Sequence, residues 1–473
     1  MASRPDSRKA ATIVIATATA ALLWWFGSGL HPLWWLTWLA PLPLLWLAPR
    51  TGRWRAALAA LVAFAVGGLN QWRYLHGYIG LPLPVVVYVI VLPGLLFALV
   101  LLLHRRLLLR GLPLAAALAV PVAWTAVEYL NSLLSPHGTF GAIGYAQMNA
   151  LPVIQVAALA GVWGIGFLVL LLPATLAVLA SDVPRRGRLQ AAMLCAAILL
   201  PALGYGAYRL QAPANASLRI GLASLETPIR PPLDSPQGQD LLARYQAVIA
   251  RLAGQGARTI VIPETSFATA DAGIPAFAQL ARQYRLQLDV GVEYQGEAGG
   301  ERNMAMVFQP DNASPATYSK HHLIPGFEAR YRPGSTYRML DGSPRIGLAI
   351  CKDMDFHDIG QAYAARGAQL LLVPAWDFSV DGWLHGRMAI LRGVEGGFAV
   401  ARAARSGRLT LSDDRGRVVA EASSEHHDAE LVGDLPLRHT RTPYSRCGDL
   451  FAWLNLAGLL ALLWRALRPV RGA

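Results

Sequence analysis

Ile346-Gly347-Leu348-Ala349-Ile350-Cys351-Lys352-Asp353 carries an apolar run straight into a cysteine and two charges. Such a run reads as a buried strand that ends at the thiol. Two other stretches nearby have the same form. Thr259-Ile260-Val261-Ile262-Pro263 leads into Glu264, and the Tyr318-Ser319 pair after an expected strand at Met304–Phe308 leads into Lys320. Open α/β sheets hold ligands beyond the carboxyl ends of their strands. A thiol needs activation at neutral pH. Glu264 can take the proton of Cys351, and Lys320 can stabilise the thiolate and then an oxyanion, the parts needed to pass an acyl group through a thioester. Taken singly, Glu264 or Lys320 reads as a surface ion-pair member and Cys351 as a small buried hydrophobe. The functional reading rests on all three falling at strand ends.

Working outward, residues 212–445 form one polar segment in which short β-branched runs alternate with helical patterns. Strands are expected at Leu218–Ser224, Thr259–Ile262, Gln287–Val292, Met304–Phe308, Ile346–Ile350 and Leu370–Pro374. Helices are expected at 238–254, 274–285, 358–367 and 384–397. This alternation favours an α/β layered domain with a largely buried sheet, large enough for its own core. Residues 212–217 and 436–445 read as linkers.

The rest of the chain reads as membrane. Of 473 residues, 54% are hydrophobic and only 15% charged, against about 25% charged in ordinary soluble domains. Apolar stretches at 11–27, 32–48, 56–75, 83–103, 112–131, 151–180 and 189–210, and another at 450–467, are each near the ~20 residues that cross a hydrocarbon core. The division expected is a seven-helix domain over 1–211, a catalytic domain over 212–445, and a last helix with a basic tail over 446–473.

Loop charges give an orientation. Arg4, Arg8 and Lys9 precede the first stretch; Arg50, Arg53 and Arg55 follow the second; Arg105, Arg106 and Arg110 follow the fourth. Arg185, Arg186 and Arg188 follow the sixth, and Arg465, Arg468 and Arg471 close the chain. The loops at 28–31 and 132–150 hold no Lys or Arg, and that at 71–82 has only Arg73. Basic loops stay cytoplasmic, so both termini are expected inside and 212–445 outside. The formal net charge of +13 is explained largely by those loops meeting anionic lipid, and nucleic-acid binding is not expected.

Cys195, Cys351 and Cys447 show no disulfide or metal spacing. Cys195 reads as helix packing, and Cys447 as packing or interface. An unpaired Cys351 on the oxidising side of a membrane calls for a role. His321 and His322 are adjacent on an extended segment, where neighbours point opposite ways, so no metal site is expected. Lys352 either lowers the pKa of its neighbour or points away along the strand.

These residues resemble the Glu–Lys–Cys nitrilase superfamily, the carbon–nitrogen hydrolases, whose domain is an αββα sandwich. Tyr318-Ser319-Lys320-His321-His322-Leu323-Ile324-Pro325 with Glu328 is similar to the superfamily's Lys-His-His-Leu-Val-Pro…Glu segment. The whole length resembles the membrane-bound bacterial branch. Thr442-Pro443-Tyr444 with Arg446 and Gly448-Asp449 is similar to the run before that branch's last helix. Gly144-Tyr145-Ala146-Gln147, then Ile154-Gln155, Gly161 and Gly164, is similar to its external loop and sixth helix. Pro374-Ala375-Trp376-Asp377-Phe378 resembles an aromatic loop near the site, and core packing is an equal reading of it. Departures are clear: Ile262-Pro263-Glu264 stands for Trp-Pro-Glu, Cys351-Lys352-Asp353 for Cys-Tyr-Glu, and Arg402-Ala403-Ala404-Arg405 for Arg-Ala-Thr-Asn.

The resemblance implies an acyltransferase of the bacterial inner membrane with a periplasmic catalytic domain, no cofactor and no metal. Cys351 would take a fatty acyl chain from a phospholipid donor and give it to the N-terminal amine of a lipoprotein acceptor. Glu264 would be the base, Lys320 the oxyanion donor, and Glu328 a second carboxylate orienting Lys320 or the amine. Trp376 and Tyr444 would support substrate. A membrane-tethered amidase or nitrilase with water as acceptor, and a non-catalytic paralogue, are the alternatives.

Overall fold

The computed structural model describes residues 4–227, 230–296 and 300–469; Arg471 lies outside them. The chain divides into two compact units. One comprises Met1–Leu133, Gly141–Leu210 and Cys447–Ala473, the other Leu134–Phe140 and Gln211–Arg446. The second unit thus takes in a seven-residue excursion from the loop after the fifth apolar stretch, a feature no linker pattern announced.

Among the described residues six helices of the first unit are long and apolar enough to cross a membrane, where eight were expected: Ser7–Gly27, Leu83–Leu109, Pro113–Leu134, Ala157–Leu179, Arg185–Arg209 and Leu450–Leu467. The 32–48 stretch forms successive turns, the short helix Leu42–Leu47 and the 3-10 turn Ala48–Arg50. Pro32, Pro41, Pro43 and Pro49 explain this, because each lacks a backbone donor and crowds the preceding turn. The 56–75 stretch forms a helix, Arg53–Gly68, of 16 residues, which gives way at Gly67-Gly68 to a 3-10 turn, Leu69–Gln71, and a π turn, Arg73–Tyr78. Buried Gln147, at the end of the 3-10 turn Ile143–Gln147, ties down the turns of the 32–48 stretch. Gln147 donates to Trp34 O at 2.9 Å and Thr37 Oγ1 at 2.6 Å, and accepts from Trp38 Nε1 at 2.7 Å. Trp163 Nε1 donates to Asp449 Oδ1 at 3.1 Å, tying in the last helix.

The second unit is an αββα sandwich. Its strands are β1 (Ala216–Ser224), β2 (Thr259–Thr269), β3 (Gln287–Tyr294), β4 (Arg302–Phe308), β5 (Ala316–Ser319), β6 (Ile346–Leu348), β7 (Leu370–Trp376), β8 (Ala399–Arg405), β9 (Arg408–Ser412), β10 (Val418–Ser423) and β11 (Ala429–Leu437). One sheet has the order β11-β1-β2-β3-β4-β5, the other β10-β9-β8-β7-β6. Strand periodicity assigns the faces. Ala305 and Val307 of β4, with Leu370 and Leu372 of β7, fill the core between the sheets. Met304, Met306 and Phe308 face the other way and pack with residues of helices Pro236–Gly254 and Pro275–Tyr284. Leu371 and Val373 pack with residues of helices His357–Ala365 and Gly382–Gly396. With both faces covered, strands read as near-continuous apolar runs, which is why the central ones were recognisable.

Candidate active site

Glu264 stands in a bulge. β2 pairs with β3 up to Ile262↔Val290 and resumes at Phe267↔Val292, so residues 263–266 oppose only Gly291. Such insertions bend a strand and re-aim a side chain. Thr265 takes φ +46°, and Ser266 Oγ donates to Pro263 O at 2.8 Å to close the loop. Gly291 makes the room, since a Cβ there would lie 2.3 Å from Pro263 O and 2.5 Å from Glu264 Cα.

Lys320 follows β5, its amide donating to Asn303 O at 2.9 Å and its carbonyl accepting from Gly334 N at 2.8 Å. Cys351 follows β6 and opens a 3-10 turn, Cys351–Asp355, with φ +43°. That left-handed backbone costs a side-chain-bearing residue about 1–2 kcal/mol, and strain of this kind persists where its surroundings enforce it. Asp353 is the enforcer. Its buried carboxylate accepts from Ile350 N (3.0 Å), His321 N (3.1 Å), His322 N (2.9 Å) and Tyr318 Oη (2.8 Å). One side chain therefore fastens the cysteine turn to the lysine segment.

The ammonium of Lys320 joins two carboxylates. Nζ donates to Glu264 Oε1 at 2.7 Å and to Glu328 Oε1 and Oε2 at 3.1 and 2.9 Å. Asn303 Nδ2 donates to Glu264 Oε1 at 2.5 Å and Glu328 Oε1 at 2.7 Å, and Ile324 N donates to Glu328 Oε2 at 2.7 Å. Lys320 is 0% exposed, Glu264 and Glu328 4%, Cys351 8%. Water screens none of these charges to a useful degree.

Burial pushes Glu264 up, and the pull of Lys320 is partly undone by the charge of Glu328. Burial acts on Glu328 too, but Lys320, the Ile324 amide and Asn303 outweigh it and hold that carboxyl below its ordinary value. Two carboxylates pushed apart in this way take different roles: Glu264 can exchange a proton, while Glu328 stays a fixed counter-charge. Burial opposes charge on Lys320, yet Glu264, Cys351 and Glu328 keep its pKa well above ordinary. Burial, then Glu264, pushes the Cys351 thiol well up, against Lys320 and Arg402. A thiol held in this way can become a nucleophile by passing its proton to Glu264.

The surroundings place the other residues singled out in the sequence and add partners such as Asp377, His137 and Asn303. Cys351 Sγ donates to Trp376 O at 3.5 Å. Beside it, Asp377 takes a bidentate pair from Arg402, at 2.9 and 2.5 Å, both residues buried. Lys352 is engaged away from the triad, with Nζ 3.1 Å from His137 Nδ1 and 3.4 Å from Asp355 Oδ2. His322 stacks on Phe356 at 3.6 Å between centroids, and His321 faces Thr336 O. Tyr444 lies against helix His357–Ala365, its hydroxyl accepting from Gln361 at 2.9 Å. Cys195 is buried and Cys447 exposed, both as free thiols. Asn303 sits opposite Glu293 in the β3–β4 register, a placement only the pairing reveals.

This fold with this cluster is that of a carbon–nitrogen hydrolase domain, and residues 222–441 match the Carbon-nitrogen hydrolase family model. Residues 20–175 match the model of the Apolipoprotein N-acyltransferase N-terminal domain. The apolipoprotein N-acyltransferase of Neisseria meningitidis serogroup B is 26% identical over 475 residues, covering 90% of this chain and 91% of its own. That of Geobacter metallireducens is 26% identical over 399 residues, covering 76% and 75%. An omega-amidase of Pongo abelii is 28% identical over 256 residues, 47% of this chain and 90% of its own. An amidase structure from Nesterenkonia sp. is 25% identical, covers 47% of this chain and 91% of its own, and has a TM-score of 0.40. The chain belongs to the apolipoprotein N-acyltransferase family, the membrane-bound branch of the carbon–nitrogen hydrolases.

Proposed function

We propose that the protein moves a fatty acyl chain from a phospholipid to the N-terminal amine of a lipoprotein, through a thioester on Cys351. The observation that carries this reading is the buried Glu264–Lys320–Glu328 cluster acting on Cys351, in a chain whose described residues include six helices apolar enough to cross a membrane.

Glu264 takes the Cys351 proton, and the thiolate attacks the ester carbonyl of the donor. The oxyanion that forms is met by the Lys320 ammonium. On collapse the lyso-lipid oxygen leaves with the proton from Glu264, and the acyl group stays on sulfur. The acceptor amine then attacks the thioester, Glu264 removes its proton, and the thiolate departs to be reprotonated. Glu328 stays ionised throughout and keeps Lys320 in place. Trp376 lines the approach to sulfur. Tyr444 supports the helix beside the site.

The loop charges favour cytoplasmic termini and a periplasmic catalytic unit in the bacterial inner membrane. In this reading the Pro-punctuated 32–50 stretch, held by buried Gln147, and the run Arg53–Tyr78 also cross, as irregular spans. A catalytic unit tethered at the outer leaflet receives both lipids without drawing their chains through water. Expression in cells depleted of their own N-acyltransferase should restore triacylated lipoproteins, and the Cys351→Ala variant should not. Growth without triacylation, or turnover of soluble amides with no lipid-derived adduct, contradicts the proposal.

A further inference from the structure

Two arginines flank the ring of Trp376, the residue whose carbonyl touches the Cys351 sulfur. The guanidinium of Arg405 lies 4.7 Å from the ring centroid and that of Arg230 5.1 Å from it. Arg230 Nε reaches Thr265 Oγ1 at 3.4 Å, one residue beyond Glu264. The pair is therefore anchored beside both the base and the nucleophile.

Arg405 is 6% exposed. Its Nη2 donates to Thr227 O, while Nε and Nη1 are buried without an acceptor among the described residues. No described carboxylate is ion-paired with it, in contrast to Arg402, which Asp377 neutralises. Burial lowers its pKa, with Glu226 opposing and Arg230 adding to the drop. Arg230 reaches Glu293 at 3.6 Å, but that carboxylate is already shared with Arg330 and the Tyr331 hydroxyl. Buried guanidinium groups left in this state are costly unless an anion completes them.

We infer that Arg230 and Arg405 form a subsite for the phosphodiester of the acyl donor, with the partly exposed Trp376 ring as its cover. A planar guanidinium with two unmet donors matches two phosphate oxygens. A glycerophospholipid carries its phosphodiester a few bonds from each acyl ester. An ester carbonyl at Cys351 Sγ therefore brings the phosphate to the residue whose own carbonyl meets that sulfur. The subsite rests on the acyl-transfer reading and names what in the donor is recognised.

The test uses the full-length protein in mixed micelles with two donors of the same labelled chains, phosphatidylethanolamine and phosphate-free diacylglycerol. The rate of thioester formation on Cys351 is measured for each. The wild type should prefer the phospholipid, and the phospholipid-to-diacylglycerol rate ratio should fall at least tenfold in Arg405→Gln and in Arg230→Gln. Arg405→Lys, which keeps charge but not the fork, should lie between. Arg230 is the more exposed of the two, so its variant reports even if Arg405→Gln folds poorly. A ratio unchanged in both variants, with the wild type labelled by phospholipid, overturns the subsite alone. A wild type that phospholipid never labels overturns the donor reading and the subsite with it.

Discussion

Lys320 Nζ lies 2.7 Å from Glu264 Oε1 with both side chains buried. Because the same ammonium also holds Glu328, a single positive charge balances two carboxylates. Burial, aided by the charge of Glu328, raises Glu264 against the pull of Lys320 and leaves it able to accept a proton from a thiol that burial has made reluctant to ionise.

Lys320→Met should remove the proposed oxyanion donor and strand two buried carboxylates. Loss of one such donor typically costs about 10²–10³ in rate, and breaking a buried pair costs about 3–5 kcal/mol. Thermal unfolding in detergent and thioester formation rate should both fall, and restoring charge with Lys320→Arg should recover stability more than rate.

The rate of Cys351 acylation should fall on the acid side as Glu264 takes up its proton. Since Glu264 is held above its ordinary value, this limb should lie above the usual carboxylate range. Glu264→Gln should lower the rate by about 10²–10⁴ and abolish the limb. A limb that survives in the variant assigns it to another group.

Gly291→Ala should leave the sheet in place and disturb the base. The added methyl would meet Pro263 O and Glu264 Cα at under-contact distance, and a displacement near 1 Å can cost about 10²-fold in rate. Acylation rate with circular dichroism as the fold control separates the two effects.

His385 lies 3.2 Å from Asp381 and 3.4 Å from Asp355. Burial opposes its charge, yet the two aspartates raise it to about 10. Its folded pKa exceeds the ordinary value near 6.5, so its contribution is complete below that pH and fades as pH rises towards 10. Melting temperature should therefore decline across that window in the wild type, and His385→Gln should start lower and lose that part of the slope.

Much of the catalytic unit was legible because its central strands are buried on both faces. The four helices and six expected strands fall where apolar runs and helical periodicity put them. The strands β8 to β11 were harder. Ala399–Arg405 is largely alanine and arginine, and its burial comes from the layers on either side. Lys320, Arg402 and Asp353 are residue types normally on surfaces, so their burial follows from partners distant in sequence. The 32–48 stretch shows a different limit: hydropathy reports preference for lipid, whereas helix length also needs an unbroken backbone donor series, which prolines deny.

The proposed reaction passes through a lipid-derived thioester on Cys351. Incubating the full-length protein with phosphatidylethanolamine of defined acyl chains and analysing the Cys351 peptide by mass spectrometry should show the mass of one such chain. The adduct should disappear when a diacylglyceryl-cysteine peptide is added, the chain reappearing on that peptide's amine, and Cys351→Ala should show neither. Acyl transfer that persists in Cys351→Ala, or an unmodified Cys351 under turnover with phospholipid, would contradict the account.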